Sequence, residues 1–309
     1  MEQIDPYNPA VFPGIFLTIG LGIVGIFGNA NIVWASVRNR RLRSTCNTII
    51  AVTALSDIFH QAAHLVFAYC YLSGNPFLSI ETAFYIFLIP AFNMCFGAFL
   101  VLSIGIDRLF CVSFPSLYSR VESNMYLVLT MIPPAVYSII ILYQCYIQVE
   151  KFKERLIIAM IAEIFVGDSH YYCNVSQAIV YLLSIIVYTS LWIVVRKKSA
   201  EVSTKKLVKS LSFIMLSLLV GWLFVGVFTT VYGRTHPNIS HADSYFFHMN
   251  IGWLINLGIS ANYFIYFAFN DEYRRAFSGQ LRILTCGRWV AQRSGSVGAT
   301  FVTSHTPTF

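Results

Sequence analysis

Seven runs of apolar residues, each long enough to cross a bilayer, constrain this chain more than any other feature. They fall at roughly 11–37, 46–72, 81–107, 125–147, 175–195, 207–233 and 243–269. About 20 helical residues rising ~1.5 Å each cover the ~30 Å hydrocarbon layer. In lipid every backbone N–H and C=O must be satisfied within the protein, which leaves helices or closed barrels with alternating apolar and polar strands. No such alternation is sustained. The expected fold is an all-α membrane protein, a seven-transmembrane helix bundle. Composition agrees: 57% of the residues are hydrophobic and only 11% charged, where soluble domains carry about a quarter charged. An ordinary cytosolic enzyme is thereby excluded. The seven cysteines lack CxxC spacing, which argues against a disulfide-rich scaffold or a zinc ribbon.

A shorter apolar stretch, Leu156–Phe165, precedes Val166-Gly167-Asp168. It is too short for an eighth span and reads as a loop helix lying on the membrane or capping the bundle. The net charge of +7 needs no nucleic acid to explain it, because the bases are unevenly placed. Seventeen of the 21 lie between spans 1 and 2, after span 3, around 196–209 or after span 7, and only Lys151, Lys153, Arg155 and Arg234 lie on the other side. This asymmetry predicts the N-terminus outside and the C-terminus inside. Both sequons, Asn174-Val175-Ser176 and Asn238-Ile239-Ser240, then fall in extracellular loops and are candidate glycosylation sites. Residues 1–10 have no basic n-region, so the first apolar run is expected to be a retained span within a membrane domain of residues 11–269. An amphipathic cytoplasmic helix is expected over 270–286, where Phe269, Tyr273, Phe277, Leu281 and Leu284 recur at helical spacing beside Arg274, Arg275 and Arg282. A Ser/Thr/Gly-rich disordered tail is expected over 287–309. Cys286 is a candidate for palmitoylation.

Ionisable groups within a bilayer are costly, so the few present single themselves out. Asp57, His60, Gln61 and His64 share one face of span 2, which must point into the bundle. His60 and His64 have metal-ligand spacing, but no third ligand accompanies them, and a hydrated polar seam is the preferred reading. In span 3, Asn93, Gly97, Leu100, Ile104 and Arg108 form one stripe. Asp107 beside Arg108 could form a local ion pair that holds the arginine or releases it. Asn29, Asp57, Asn256 and Asn262 sit at similar depths. They predict either a cation site, sodium being a candidate allosteric occupant, or hydrogen-bond glue without an ion.

Several motifs occur together in order: Gly28-Asn29, Leu55-Ser56-Asp57, Asp107-Arg108-Leu109 followed by Pro115 and Tyr118, and Asn262-Tyr263-Phe264-Ile265-Tyr266. The pattern resembles the rhodopsin-like G-protein-coupled receptors. More narrowly, Leu42-Arg43-Ser44-Thr45-Cys46-Asn47, Asp57-Ile58-Phe59-His60-Gln61 and Ser103-Ile104-Gly105-Ile106-Asp107-Arg108 resemble nematode serpentine chemoreceptors of the Srsx type. The resemblance implies a coupling switch of Asp107, Arg108, Pro115, Tyr118 and Tyr266. It also implies a mid-membrane network containing Asn29, Asp57, Asn93 and Asn262, with Trp222 as an aromatic pivot. A heterotrimeric G protein, an extracellular ligand and membrane lipid would be the partners, and the plasma membrane of a sensory neuron the location.

The chain departs from that pattern in ways that matter. Phe224, Tyr263 and Val180 stand where prolines are usual, so helix bending is expected from elsewhere, for instance Gly221, Gly226 and Gly258. Ala83 replaces the cysteine at the outer end of span 3. Cys173 therefore lacks its usual partner, and Cys70 is a candidate substitute, the unbridged pair being the preferred reading. Pro90 at the amine-binding position disfavours a biogenic amine, and Asn256 at the retinal-lysine position excludes a covalent chromophore. Candidate pocket residues are His64, Met94, Trp222, Phe228, His248 and Asn250, a mixture suited to a small apolar odorant or a short peptide. A chemosensory receptor is the first reading. A neuropeptide receptor of the same fold is the alternative, followed by a transporter or channel, for which repeats and broken helix pairs are lacking. An enzyme would need a catalytic constellation, and no spacing supplies one.

Overall fold

The computed structural model describes residues 7–198, 202–235 and 241–284, the side chains of 203, 223, 226–234, 241–245, 247 and 248 excepted. Seven long helices correspond to the seven apolar runs: α1 (Phe12–Arg38), α2 (Thr45–Leu72), α3 (Ile80–Ser113), α5 (Ser123–Lys151), α6 (Asp168–Lys197), α7 (Val202–Thr235) and α8 (His241–Phe269). Two shorter ones, α4 (Pro115–Tyr118) and α9 (Asp271–Leu284), follow α3 and α8. Among the described residues six of the long helices are apolar and long enough to cross a membrane. The remaining one, α7, has Lys205, Lys206 and Lys209 in its first turns.

Local chemistry sets the helix ends. Ser44 and Ser79 cap α2 and α3 by accepting from the backbone N–H of Asn47 and Thr82. Phe114 leaves the helical region because Pro115 follows it, and Pro115 then starts α4 at the one position where a missing N–H costs nothing. At the start of α6, Gly167 adopts φ +55°, and an added Cβ would stand 3.0 Å from Gln148 Oε1. Both the left-handed backbone and the close side chain require glycine.

Leu156–Phe165 is not the loop helix that its composition suggested. Strand β2 (Leu156–Ile158) pairs antiparallel with β1 (Phe77–Ser79), in the register Phe77 opposite Ile158, and a 3-10 turn follows at Ile161–Ile164. β-Branched Ile157 and Ile158 favour extended backbone, and the neighbouring strand satisfies their amide groups. The capping role holds. Ile158 packs with Val11, Ile15, Phe67, Tyr71 and Met249, while Ile157, Ile161, Ile164 and Phe165 pack against α3 and α5. Together they form a lid over the end of the bundle that carries the N-terminus.

Glycines let the helices approach closely where bends had been expected. A Cβ on Gly221 would stand 2.8 Å from the Leu254 carbonyl oxygen, and one on Gly258 would stand 3.0 Å from that of Ser217. Each glycine of the α7–α8 pair thus admits the backbone of the other helix, a packing role and not a hinge. Gly226 lies outside the residues whose surroundings are described. The prolines that do interrupt helices are Pro90 in α3 and Pro133 and Pro134 in α5. On the lidless side, α9 buries Tyr273, Phe277 and Gln280. The Tyr273 hydroxyl is 3.3 Å from Ser36 Oγ, and Gln280 Nε2 donates to the Asn31 carbonyl at 3.1 Å.

Candidate functional site

The polar face of α2 does point inward, and it meets α8 in a ladder of three hydrogen bonds. His64 Nε2 donates to Asn256 Oδ1 at 2.8 Å, Gln61 Nε2 to Ser260 Oγ at 3.1 Å, and Asn262 Nδ2 to Asp57 Oδ2 at 3.0 Å. The Ser260 hydroxyl in turn donates a hydrogen bond to the Leu21 carbonyl of α1 at 2.7 Å. The glycines of α1 make room for this seam: a Cβ on Gly22 would touch His64, and one on Gly25 would overlap the Gln61 amide. His60 and His64 have ring centroids 6.0 Å apart. Among the described residues no cluster of His, Cys, Asp and Glu has the geometry of a metal site.

Beside the ladder lies a cavity of about 40 Å³ lined by Asn29, Asp57, His60, Met94, Trp222 and Asn262 among others. Both polar atoms of the Asn29 amide, and Asn262 Oδ1, are buried without a hydrogen-bond partner. Unpartnered buried amides mark a place where water or an ion completes the coordination. The volume admits a few waters or a small hydrated cation and falls well short of the ~300 Å³ at which small-molecule sites begin. Asn29, Asp57 and Asn262 thus line one cavity, in which Asp57 and Asn262 are joined by a hydrogen bond and Asn29 stands unbonded. Asn93 does not join them, because its amide turns back to the Ile89 carbonyl of its own helix, and only its backbone oxygen is used, accepting from Ser56 Oγ at 2.8 Å.

Of the expected pocket residues, Met94 and Trp222 line this cavity, with Trp222 6.0 Å from the Tyr181 ring. His64 is committed to the ladder. Asn250 instead reaches the N-terminal segment, donating to the Ala10 carbonyl at 3.0 Å. The side chains of Phe228 and His248 lie outside the described residues.

At the opposite end, Asp107 and Arg108 close a three-membered network with Tyr118. Arg108 Nε donates to Asp107 Oδ2 at 2.7 Å, the Tyr118 hydroxyl donates to Asp107 Oδ1 at 2.9 Å, and Arg108 Nη2 donates to that hydroxyl at 3.1 Å. Asp107 is fully buried, so the pair is largely shielded from competing water. Burial first, and then the Asp107 carboxylate, hold the Tyr118 hydroxyl above its ordinary pKa. Pro115 positions this tyrosine by starting the single turn that carries it. The Tyr118 ring also packs against Phe110 and Tyr126, at centroid distances of 5.6 and 5.8 Å, participants that no motif announced. Tyr266 is buried nearby, its ring 4.8 Å from that of Tyr273.

Two further ties close this end. Lys198 Nζ donates to the Val112 and Ser113 carbonyls at the end of α3, at 3.2 and 2.6 Å. Lys206 Nζ pairs with Asp271 Oδ2 at 2.5 Å and joins α7 to α9, and that hydrogen bond holds the Asp271 carboxyl below the usual carboxylate range.

The candidate Cys70–Cys173 bridge is not formed. Both thiols are free, and Cys173 packs instead with Cys95 and Cys145 under the lid, with Gln177 Nε2 3.6 Å from its sulfur. The reason is α6, which begins at Asp168 and carries Cys173 on its inward face. Asn174 accordingly sits on that helix and not in a loop, exposed, with Nδ2 2.9 Å from His170 Nε2. Asn238 and Cys286 lie outside the described residues.

Among curated proteins no sequence matches the chain. The family model for the serpentine-type 7TM GPCR chemoreceptor Srsx matches residues 22–281, from the first helix through α9. The stretch contains the α2–α8 ladder, the polar cavity and the Asp107–Arg108–Tyr118 network, and on that match the chain belongs to the Srsx family of serpentine seven-transmembrane chemoreceptors.

Proposed function

We propose that the protein sits in the plasma membrane of a sensory neuron with its N-terminus outside. In this reading it activates a heterotrimeric G protein when a small, mostly apolar molecule binds between Trp222 and the lid. The observation that carries this reading is the closed Asp107–Arg108–Tyr118 network. It is a charge cluster whose opening frees Arg108 at the basic end, which this reading takes as cytoplasmic on the positive-inside asymmetry. The cavity of about 40 Å³ is too small for an odorant, so this packing is the resting state. A ligand acts by binding an alternative packing more tightly, one in which the Met94–Trp222–Tyr181 end has widened.

The lower part of the same cavity suits a monovalent cation. Asp57 supplies charge there, and the unpartnered amide oxygens of Asn29 and Asn262 supply neutral donors. An ion held there would favour the resting packing and give way as the cavity changes shape.

The test is a panel of volatile and water-soluble small molecules applied to cells expressing the receptor, with a second-messenger readout. Arg108→Ala should abolish the evoked response, a loss of at least about tenfold in signal, while surface expression survives. Ligand-gated current persisting without any G protein would overturn the proposal in favour of a channel.

A further inference from the structure

Four arginines with no carboxylate partner among the described residues converge at the end of the bundle that carries α9. Arg38 ends α1, Arg40 and Arg41 come from the turn between α1 and α2, and Arg275 comes from α9, more than 200 residues later in the chain. With Asn39, Leu42, Glu272 and Ala276 they line an open groove of about 440 Å³, within the ~300–1,000 Å³ range of small-ligand sites. Glu272 is the single acid, so the groove carries a net charge of +3 from its named residues. Arg275 is steadied by a bond from its Nε to the Asp271 carbonyl at 3.2 Å.

We propose that this groove binds the multiply phosphorylated headgroup of a membrane lipid. Guanidinium forks match phosphate oxygens in pairs, and several arginines facing one space favour a ligand carrying more than one phosphate. The setting favours a lipid over a soluble anion. Arg38 is the last residue of the apolar helix α1. Exposed Val37, beside the groove, and Ile283 and Leu284, at the far end of α9, present apolar surface at the same end of the bundle. Tyr273 and Phe277 are spent on docking α9 to the bundle, which fixes Arg275 at that level. The inference rests on the reading that this end faces the cytoplasm, where phosphorylated lipids are displayed.

The full-length receptor in phosphatidylcholine nanodiscs, open on both faces, tests the site independently of orientation. A fluorescent bisphosphorylated inositol lipid should bind, and Arg40→Gln with Arg41→Gln should weaken it by at least about tenfold. Arg275→Gln should weaken it as well, and Arg275→Lys should recover part of the loss by restoring charge without the fork. Arg120→Gln removes the same charge elsewhere and should leave affinity within about twofold. Equal losses for Arg120→Gln would reduce the effect to diffuse surface charge and overturn the site, as would unchanged binding in the double variant. Displacement by soluble inositol trisphosphate as readily as by the lipid would overturn the lipid assignment. The cytoplasmic reading fails separately if an N-terminal tag is inaccessible on intact cells.

Discussion

The hydroxyl of Tyr118 stands between the two charges of the Asp107–Arg108 pair, donating to the carboxylate at 2.9 Å and accepting from the guanidinium at 3.1 Å. Among the described residues its hydrogen bonds alone tie the side chains of the turn after α3 to that pair, and its ring is held independently by Phe110 and Tyr126, at centroid distances of 5.6 and 5.8 Å. Tyr118→Phe therefore removes the two bonds and keeps the packing. Hydrogen bonds to charged groups contribute about 1.5–3 kcal/mol each, net of exchange with water. Basal second-messenger signalling at matched surface expression should rise, by about tenfold if the bonds belong only to the resting state. Unchanged basal signalling would show that the tyrosine does not restrain the switch.

Asp57 and Asn262 test the seam. Asp57→Ala leaves the Asn262 amide buried without its acceptor, a cost of about 1–3 kcal/mol. Asn262→Ala should cost a similar amount, and the double variant should fall well short of the sum because the two share one bond. Melting temperatures in detergent report all three, and strict additivity would mean that the 3.0 Å contact contributes nothing. Asp57→Asn keeps an acceptor and should lie near wild type in stability.

How much of this was legible in the sequence differs from element to element, for physical reasons. The α2 face was readable because 3.6-residue periodicity alone places Asp57, His60, Gln61 and His64 together, and lipid excludes the outward alternative. Its partners on α8 were only partly readable. Ser260, central to the ladder, is a small residue of a kind common in membrane helices. Asn93 lies on the stripe of α3 that periodicity predicts, but periodicity does not reveal that its amide is satisfied locally, one turn back on its own helix. Leu156–Phe165 failed because a short apolar run has no period to distinguish helix from strand, and its strand partner, Phe77–Ser79, is itself too short to signal. The groove formed by Arg38, Arg40, Arg41 and Arg275 depends on tertiary convergence that no local pattern records.

Gly28 makes the space into which Tyr263 fits. A Cβ on Gly28 would stand 2.7 Å from Tyr263 Cβ, and the Tyr263 ring goes on to pack against Phe277 of α9 at 4.4 Å. Gly28→Ala should destabilise the receptor by about 1–3 kcal/mol through overpacking. In a Tyr263→Ala background the same change should be neutral or stabilising, because the obstacle is gone and alanine is the better helix former by ~1 kcal/mol. Gly20→Ala, with nothing near its added Cβ, is the matching control. Thermal melting of the four variants gives the sign, and equal effects of Gly28→Ala in both backgrounds would refute the contact.

The free thiols give a covalent test of the packing at the lidded end. Cys70 and Cys173 are unbridged because the inward turn of α6 commits Cys173 to Cys95, Cys145 and Gln177. Buried thiols in apolar surroundings stay protonated and react slowly. Folded receptor treated with a membrane-permeant maleimide should therefore label Cys173 far more slowly than it does after denaturation without reductant. Once denatured, Cys46, Cys70, Cys95, Cys111, Cys145 and Cys173 should all alkylate, as mass spectrometry of the digest would record. Cys173→Ala should keep surface expression near wild type, whereas loss of an inter-helix bridge would cost about 2–5 kcal/mol and deplete the surface pool. A Cys70–Cys173 peptide pair that appears only without reductant would overturn the arrangement and require α6 to begin later than Asp168.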